Sequence, residues 1–235
     1  MTGMVDSIRA RQRAGHMPVI AEIKVRSPKE GPLLRGRDPV DLARAYEAGG
    51  AAGISVVTEP HDFGGSVDII RRIRGVTGLP ILRKDFPRST VDVDTTVEAG
   101  AQVLLLTVKM LDPEGFADLH ARALDSGLET LVEVGSDADI GRLREMGIAP
   151  SIVGINNRDI AIGETDDGDV GRTEGLAEAV PQDAPLLSES AISTADDARR
   201  ARDAGADAVL VGTAILQADD PTAKVRELVA IGWPR

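Results

Sequence analysis

Three of the chain's five lysines close short apolar runs: Lys24 ends PVIAEIK, Lys84 ends LPILRK and Lys109 ends VLLLTVK. The other basic residues are 22 arginines, so lysine is rare and its positions are informative. A guanidinium stays protonated, whereas a partly buried lysine can shift its pKa and work as an acid or base. Glu22 and Glu133 also lie inside apolar runs, in IAEIK and LVEV. Glu22 and Lys24 alternate, as residues on one face of a strand do. A charge buried there costs several kcal/mol unless it is paired. The pattern reads as acid–base chemistry at strand ends, with a purely structural ion-pair plug as the alternative.

The elements that would hold these residues follow from periodicity. Apolar runs at 18–24, 53–57, 79–84, 103–108, 129–134, 151–155, 185–188 and 207–211 are of strand length. Several are apolar at nearly every residue, as parallel strands covered on both faces are. Amphipathic stretches at 39–48, 67–76, 90–99, 113–126, 137–146, 173–180, 194–204 and 220–231 alternate with them. Asp38-Pro39, Ser136 and Thr194 suit helix N-caps. A weak repeat, Ala-Gly or Met-Gly leading into the next run, recurs at Ala48-Gly49-Gly50, Ala99-Gly100, Met146-Gly147 and Ala204-Gly205. Eight such units predict a closed (β/α)8 TIM barrel forming one domain over 1–235, with 1–17 as a short N-terminal helix before strand 1. A doubly wound sheet would want a glycine-rich fingerprint after the first run, and AEIKVRSP is not one.

Composition narrows the function. No run approaches the ~18 apolar residues of a membrane helix. The start of the chain does not read as a signal peptide. The absence of cysteine excludes disulfides and thiolate catalysis and suits a cytoplasmic protein. A net charge of −11 with no basic block argues against nucleic acid. His16, His61 and His120 show no metal-ligand spacing. No metal and no cofactor is expected, and protein partners cannot be read from the chain.

In a barrel the active site gathers at the C-terminal ends of the strands. Those ends carry Glu22, Lys24, Ser27, Lys84, Lys109, Glu133, Asn156, Arg158, Glu189 and Ser190, and Gly212-Thr213 after the last run. Gly212-Thr213-Ala214-Ile215 reads as the start of a short extra helix, and phosphate in many barrels sits between the last two loops. A phosphorylated small molecule is the expected ligand.

At these residues the chain resembles the indole-3-glycerol phosphate synthase family. The motifs are IAEIKVRSP at 20–28, SVVTEPHDFGGS at 55–66, PILRKDF at 80–86, LLLTVKML at 104–111, LVEV at 131–134, GINNRD at 154–159, SESAI at 188–192 and LVGTAIL at 210–216. The resemblance implies ring closure, decarboxylation and dehydration of 1-(2-carboxyphenylamino)-1-deoxyribulose 5-phosphate, without a cofactor. It makes Lys109 the expected general acid, with Glu133 and either Lys24 or Lys109 serving dehydration. Lys24 would bind the anthranilate carboxylate, and Glu22 would hold Lys24 and Lys109. Asn156 and Glu189 would bind sugar hydroxyls, and Arg158 would pair with a carboxylate. Ser27, Ser190, Ala191, Gly212 and Thr213 would cradle the phosphate, and Phe63 and Phe86 would pack on the aromatic ring. Lys84 is the ambiguous lysine, with a structural salt bridge as its other reading.

Three departures from the family stand out. Only about seventeen residues precede strand 1, where relatives carry helices that help form the pocket. Ala191 replaces a glycine, which is tolerable only at an ordinary backbone angle. The acidic, glycine-rich segment 163–173 is expected to be a mobile loop whose carboxylates disfavour an anion. These departures leave open a paralogue acting on a substituted anthranilate-derived substrate. A non-catalytic phosphate-metabolite-binding barrel is the alternative of another class, against which the retained lysines argue. A phosphoribosylanthranilate-isomerase-like barrel would want a cysteine near strand 1, and none is present.

Overall fold

The computed structural model describes residues 2–160 and 165–234. Its centre is a closed, all-parallel barrel of eight strands in sequential order. They are β1 (Val19–Ile23), β2 (Gly53–Val57), β3 (Ile81–Lys84), β4 (Val103–Thr107), β5 (Glu129–Val134), β6 (Ile152–Asn156), β7 (Leu186–Glu189) and β8 (Ala208–Val211). β8 closes the ring on β1 through Val19↔Val209 and Ala21↔Val211. A two-stranded ribbon, Arg26–Ser27 with Gly31–Pro32, follows β1.

The outer layer comprises α2 (Pro39–Gly49), α3 (Val67–Arg74), α4 (Thr90–Ala99), α5 (Pro113–Asp125), α6 (Asp137–Glu145), α7 (Gly171–Leu176), α8 (Ala195–Asp203) and α10 (Pro221–Val229). The five-residue α9 (Thr213–Gln217) lies between β8 and α10, where a short extra helix was expected. Asp38, Ser136 and Thr194 cap α2, α6 and α8 as the sequence predicts. Gly50 and Gly100 end α2 and α4 at φ of 91° and 87°, angles that a side chain makes costly. The expected helix at 173–180 is α7 followed by a 3-10 turn at Ala177–Ala179.

Two apolar layers hold this together. Outward residues such as Val19, Ile54, Ile81, Leu104, Val132, Val153 and Val209 pack against the helices. Inward residues Ile20, Leu82, Val103, Leu105, Leu131, Ile152, Leu187 and Leu210 fill the barrel. The N-terminal helix α1 (Met4–Arg13) completes the inner layer with Met4 and Ile8. Glu129, at the start of β5, accepts the Met4 backbone N–H at 2.6 Å. Arg9 and Gln12 bond Asp207, just ahead of β8, at 2.6 and 2.9 Å. These anchors all lie at the N-terminal ends of strands, so α1 plugs the barrel floor. It lies at the end of the barrel opposite the charged strand ends. No helix of the described residues is long and apolar enough to cross a membrane.

Candidate active site

Above the apolar filling, the inward positions turn polar within one step of the strand period. Ile20 gives way to Glu22, Leu82 to Lys84, Leu131 to Glu133 and Leu187 to Glu189, all buried or nearly so. The charges tolerate burial because they meet. Lys24 Nζ lies 3.3 Å from Glu22, and Ser55 Oγ is 3.4 Å from the other Glu22 oxygen. Lys84 Nζ is 2.9 Å from Glu189 and 3.7 Å from Glu133. Asn156 Nδ2 donates to Glu133 at 3.1 Å, and Thr107 Oγ1 donates to it at 3.3 Å. Two glycines make room for this layer. A Cβ on Gly154 would stand 2.0 Å from Glu189 Oε1, and one on Gly212 would stand 2.6 Å from Glu22 Oε1.

Glu22, Lys24, Glu59, Lys84, Asp85 and Glu133 border a cleft of about 350 Å³ whose apolar walls are Val57, Phe63, Phe86, Leu105 and Ile160. Phe63 and Phe86 thus stand where an aromatic group could lie. Lys24 Nζ is 5.9 Å from the Phe63 ring centre, within cation–π reach. The loop carrying Phe63 is fixed by Glu59, whose carboxylate accepts the backbone N–H groups of His61, Asp62 and Phe63 at 2.7, 2.7 and 2.9 Å. The apolar side of this cavity, with the Lys24 ammonium at its edge, suits a carboxyphenyl group.

A second, polar pocket adjoins the first and shares Glu22 and Lys24 with it. Its walls include Arg158, Ser190, Ala191, Ser193, Gly212 and Thr213. Ser190 and Ala191 both have left-handed backbones, at φ of 64° and 55°. The ordinary angle expected of Ala191 is therefore not the one adopted. Each such residue costs about 1–2 kcal/mol where glycine would cost little. The turn is kept despite that cost, and both of its residues line the polar pocket.

The structure separates the expected site residues. Glu22, Lys24, Glu133, Asn156, Glu189, Phe63 and Phe86 gather around the first cavity or its charged floor, and Arg158, Ser190, Ala191, Gly212 and Thr213 around the second. Lys109 is elsewhere. It sits on a 3-10 turn, Val108–Met110, after β4, with its side chain 32% exposed and 3.5 Å from Asp159. The lysine beside Glu133 is Lys84, and Glu22 holds Lys24 but not Lys109. Ser27 Oγ does not line the polar pocket; it accepts the backbone N–H groups of Lys29 and Glu30 and fastens a turn. Arg158 Nε donates to the backbone carbonyl of Asp167 at 3.4 Å and has no carboxylate partner among the described residues.

Gly163 and Glu164 of the acidic segment lie outside the described residues. Asp167 pairs with Lys29 across the mouth, and Asp169 and Glu174 pair with Arg200. These cations hold the three carboxyls below the usual carboxylate range and offset their charge towards an incoming anion. Lys84 and Glu59 are the site residues at strand ends to which the sequence alone assigned no settled role. Lys84 shares the strand parity of Leu82, the signal that marks it as inward.

A family model described as indole-3-glycerol phosphate synthase matches residues 2–228. The chain is similar to the protein of that name from Thermococcus kodakarensis, 44% identical over 95% of this chain and 96% of the relative. Its counterpart in Pyrococcus furiosus is also 44% identical, over 94% of this chain and 95% of the relative. The Nocardioides protein is 42% identical, covering 93% and 82% respectively. Among solved structures, an N-acetylmannosamine-6-phosphate 2-epimerase from Clostridium perfringens superposes with a TM-score of 0.67 at 21% identity, over 91% of this chain and 93% of that one. A thiamine phosphate pyrophosphorylase from Pyrococcus furiosus gives 0.66 at 16% identity, over 94% and 96%. Those two likenesses speak to the barrel alone. With a family model spanning nearly the whole sequence and relatives of that name at this identity, the chain belongs to the indole-3-glycerol phosphate synthase family.

Proposed function

We propose that this site forms indole-3-glycerol phosphate, the decarboxylating lyase step of tryptophan biosynthesis, with Lys84 rather than Lys109 as its general acid. The observation that carries the assignment is the position of Lys84, on the wall of the first cavity with Glu133 and Glu189 at its ammonium. The carboxyphenyl ring of the substrate lies between Phe63 and Phe86, with its carboxylate at Lys24. The phosphate lies against Ser190, Ala191, Gly212, Thr213 and Arg158. The sugar carbons between them then pass over the charged floor.

The ring carbon that bears the carboxylate attacks the ribulose carbonyl while Lys84 protonates the carbonyl oxygen. A carbon–carbon bond forms and the oxygen becomes a hydroxyl. Loss of carbon dioxide returns its bonding pair to the ring system. The hydroxyl then leaves as water: the adjacent ring CH2 gives up a proton, a carbon–carbon double bond forms, and Glu133, 3.7 Å from Lys84, passes that proton to the departing oxygen. Asn156 and Glu189 orient Glu133 and Lys84 and meet the sugar hydroxyls. Glu22 holds the Lys24 side chain in place.

Fluorescence-detected formation of indole-3-glycerol phosphate tests this in the wild type, Lys84→Ala and Lys109→Ala. Lys84→Ala should lower kcat by about 10²–10⁴-fold, the range for a lost general acid, while Lys109→Ala stays within about tenfold of wild type. Loss in Lys109→Ala with retention in folded Lys84→Ala would return the role to Lys109. A folded wild type without turnover would overturn the activity itself.

A further inference from the structure

We propose that Asn157 is a positioning residue: it holds the left-handed Ser190–Ala191 turn open for the substrate's phosphate. The proposal rests on the reading of the polar pocket as the phosphate site. Two consecutive side-chain-bearing residues at φ of 64° and 55° do not hold that shape unaided. Strain of this kind persists only where the surroundings over-determine it.

Asn157 is the group that does so. It is fully buried and borders neither cavity, so it can act only through its neighbours. Its backbone N–H donates to the Glu189 carbonyl at 2.9 Å. Its side-chain Nδ2 donates to Ser188 Oγ at 3.0 Å and to the Ser190 carbonyl at 3.1 Å. Its Oδ1 accepts from the Thr173 backbone N–H at 3.1 Å and from Thr173 Oγ1 at 2.9 Å. Thr173 Oγ1 and Ser188 Oγ lie 2.7 Å apart and close the ring. Both amide hydrogens and both oxygen lone pairs are thus used, which leaves the amide one orientation.

The Ser190 carbonyl begins the peptide that leads into Ala191. Fixing it fixes the plane of that peptide and the direction of the Ala191 N–H. Gly168 also approaches the turn closely: a Cβ there would stand 3.0 Å from Ala191 Cβ and 2.7 Å from the Asn157 carbonyl oxygen. The turn is therefore tied by the Asn157 amide and closely approached by a glycine, and its two residues line the polar pocket. The ligand such a clamp serves is a phosphate monoester.

The test is Asn157→Asp, which keeps shape and the acceptor to Thr173 but sets an oxygen against the Ser190 carbonyl. The KM for the open-chain ribulose phosphate and the inhibition constant of inorganic phosphate should both rise by about tenfold or more. The kcat should stay within about threefold of wild type, since the reacting atoms are untouched. Adding Ala191→Gly should recover much of the loss, because glycine reaches the left-handed region without the clamp. If Asn157→Asp is poorly folded, Thr173→Val removes one hydroxyl of the ring and should shift the same two constants by a smaller factor. Unchanged phosphate inhibition in both folded variants, or a fall in kcat without it, overturns the positioning role. Thr213→Glu separates this from failure of the site reading. A carboxylate there should weaken phosphate inhibition, and if it does not, the phosphate lies elsewhere and both readings fall.

Discussion

The two ends of the barrel are built on the same strands at the same parity, yet their chemistry is opposite. At the floor, Ile20, Leu82, Leu131, Ile152 and Leu187 meet Met4 and Ile8 of α1 in an apolar layer. Two to four residues further along, Glu22, Lys84, Glu133, Asn156 and Glu189 meet one another. The floor contributes burial without chemistry. The mouth accepts buried charge, whose net contribution to stability is small or unfavourable even when it is paired. The fold is thus secured at one end so that the other can be held in an arrangement that would not be chosen for stability.

Glu133→Gln breaks that contrast at the mouth. It should lower kcat by about 10²–10⁴-fold as an acid–base group is lost. Its thermal midpoint should remain within about 3 °C of wild type or rise above it, as happens when a strained active-site group is neutralised. A midpoint that collapses alongside activity would mean the charged layer is structural. Ile8→Ala addresses the floor. Urea unfolding should show a loss of about 2–5 kcal/mol, the range for a truncated buried isoleucine. The kcat of the folded enzyme should stay within about twofold of wild type, which steady-state assays below the transition would check. A large fall in kcat would show that the two ends are coupled.

The smallest effect concerns His120 on the outer wall, which belongs to neither end. Its Nε2 is buried without a hydrogen-bond partner among the described residues, and burial holds its pKa below the ordinary histidine value. As pH falls the unfolded chain therefore takes up the proton first. The stability that neutral His120 supports is complete above its unfolded pKa and is lost as pH falls through its folded one. Between about pH 7.5 and 5.5 the wild-type melting midpoint should fall more steeply than that of His120→Leu. Parallel slopes would remove histidine from the account.

The strands and helices were legible because their periods differ. Runs such as VLLL at 103–106 cannot be anything but covered on both faces, and Asp38-Pro39 and Gly50 bracket α2 without ambiguity. Inward placement of Glu22 and Glu133 followed from alternation. Lys84 and Lys109 show where alternation stops being enough. Both end apolar runs, and both share the parity of an inward residue, Leu82 or Leu105. The β3 ladder continues through Lys84, which pairs with Val57. β4 ends at Thr107, and the chain then enters a 3-10 turn that carries Lys109 out to the rim. That difference depends on where a ladder stops, a tertiary fact. The left-handed angle at Ala191 was illegible for a similar reason. Alanine carries no sign of a positive φ, and the cause lies in Asn157 and Gly168, distant in sequence.

The close approach of Gly154 to Glu189 has a consequence for how this enzyme can vary. An alanine at 154 would neither open a hole nor place a polar group in the core. It would push the Glu189 carboxylate off the Lys84 ammonium from the neighbouring strand. In a library of random variants, position 154 would then sort with the charged residues of the mouth, its replacements recovered as folded and silent proteins. A search for catalytic positions by side-chain chemistry would pass over it, because what it supplies is empty space.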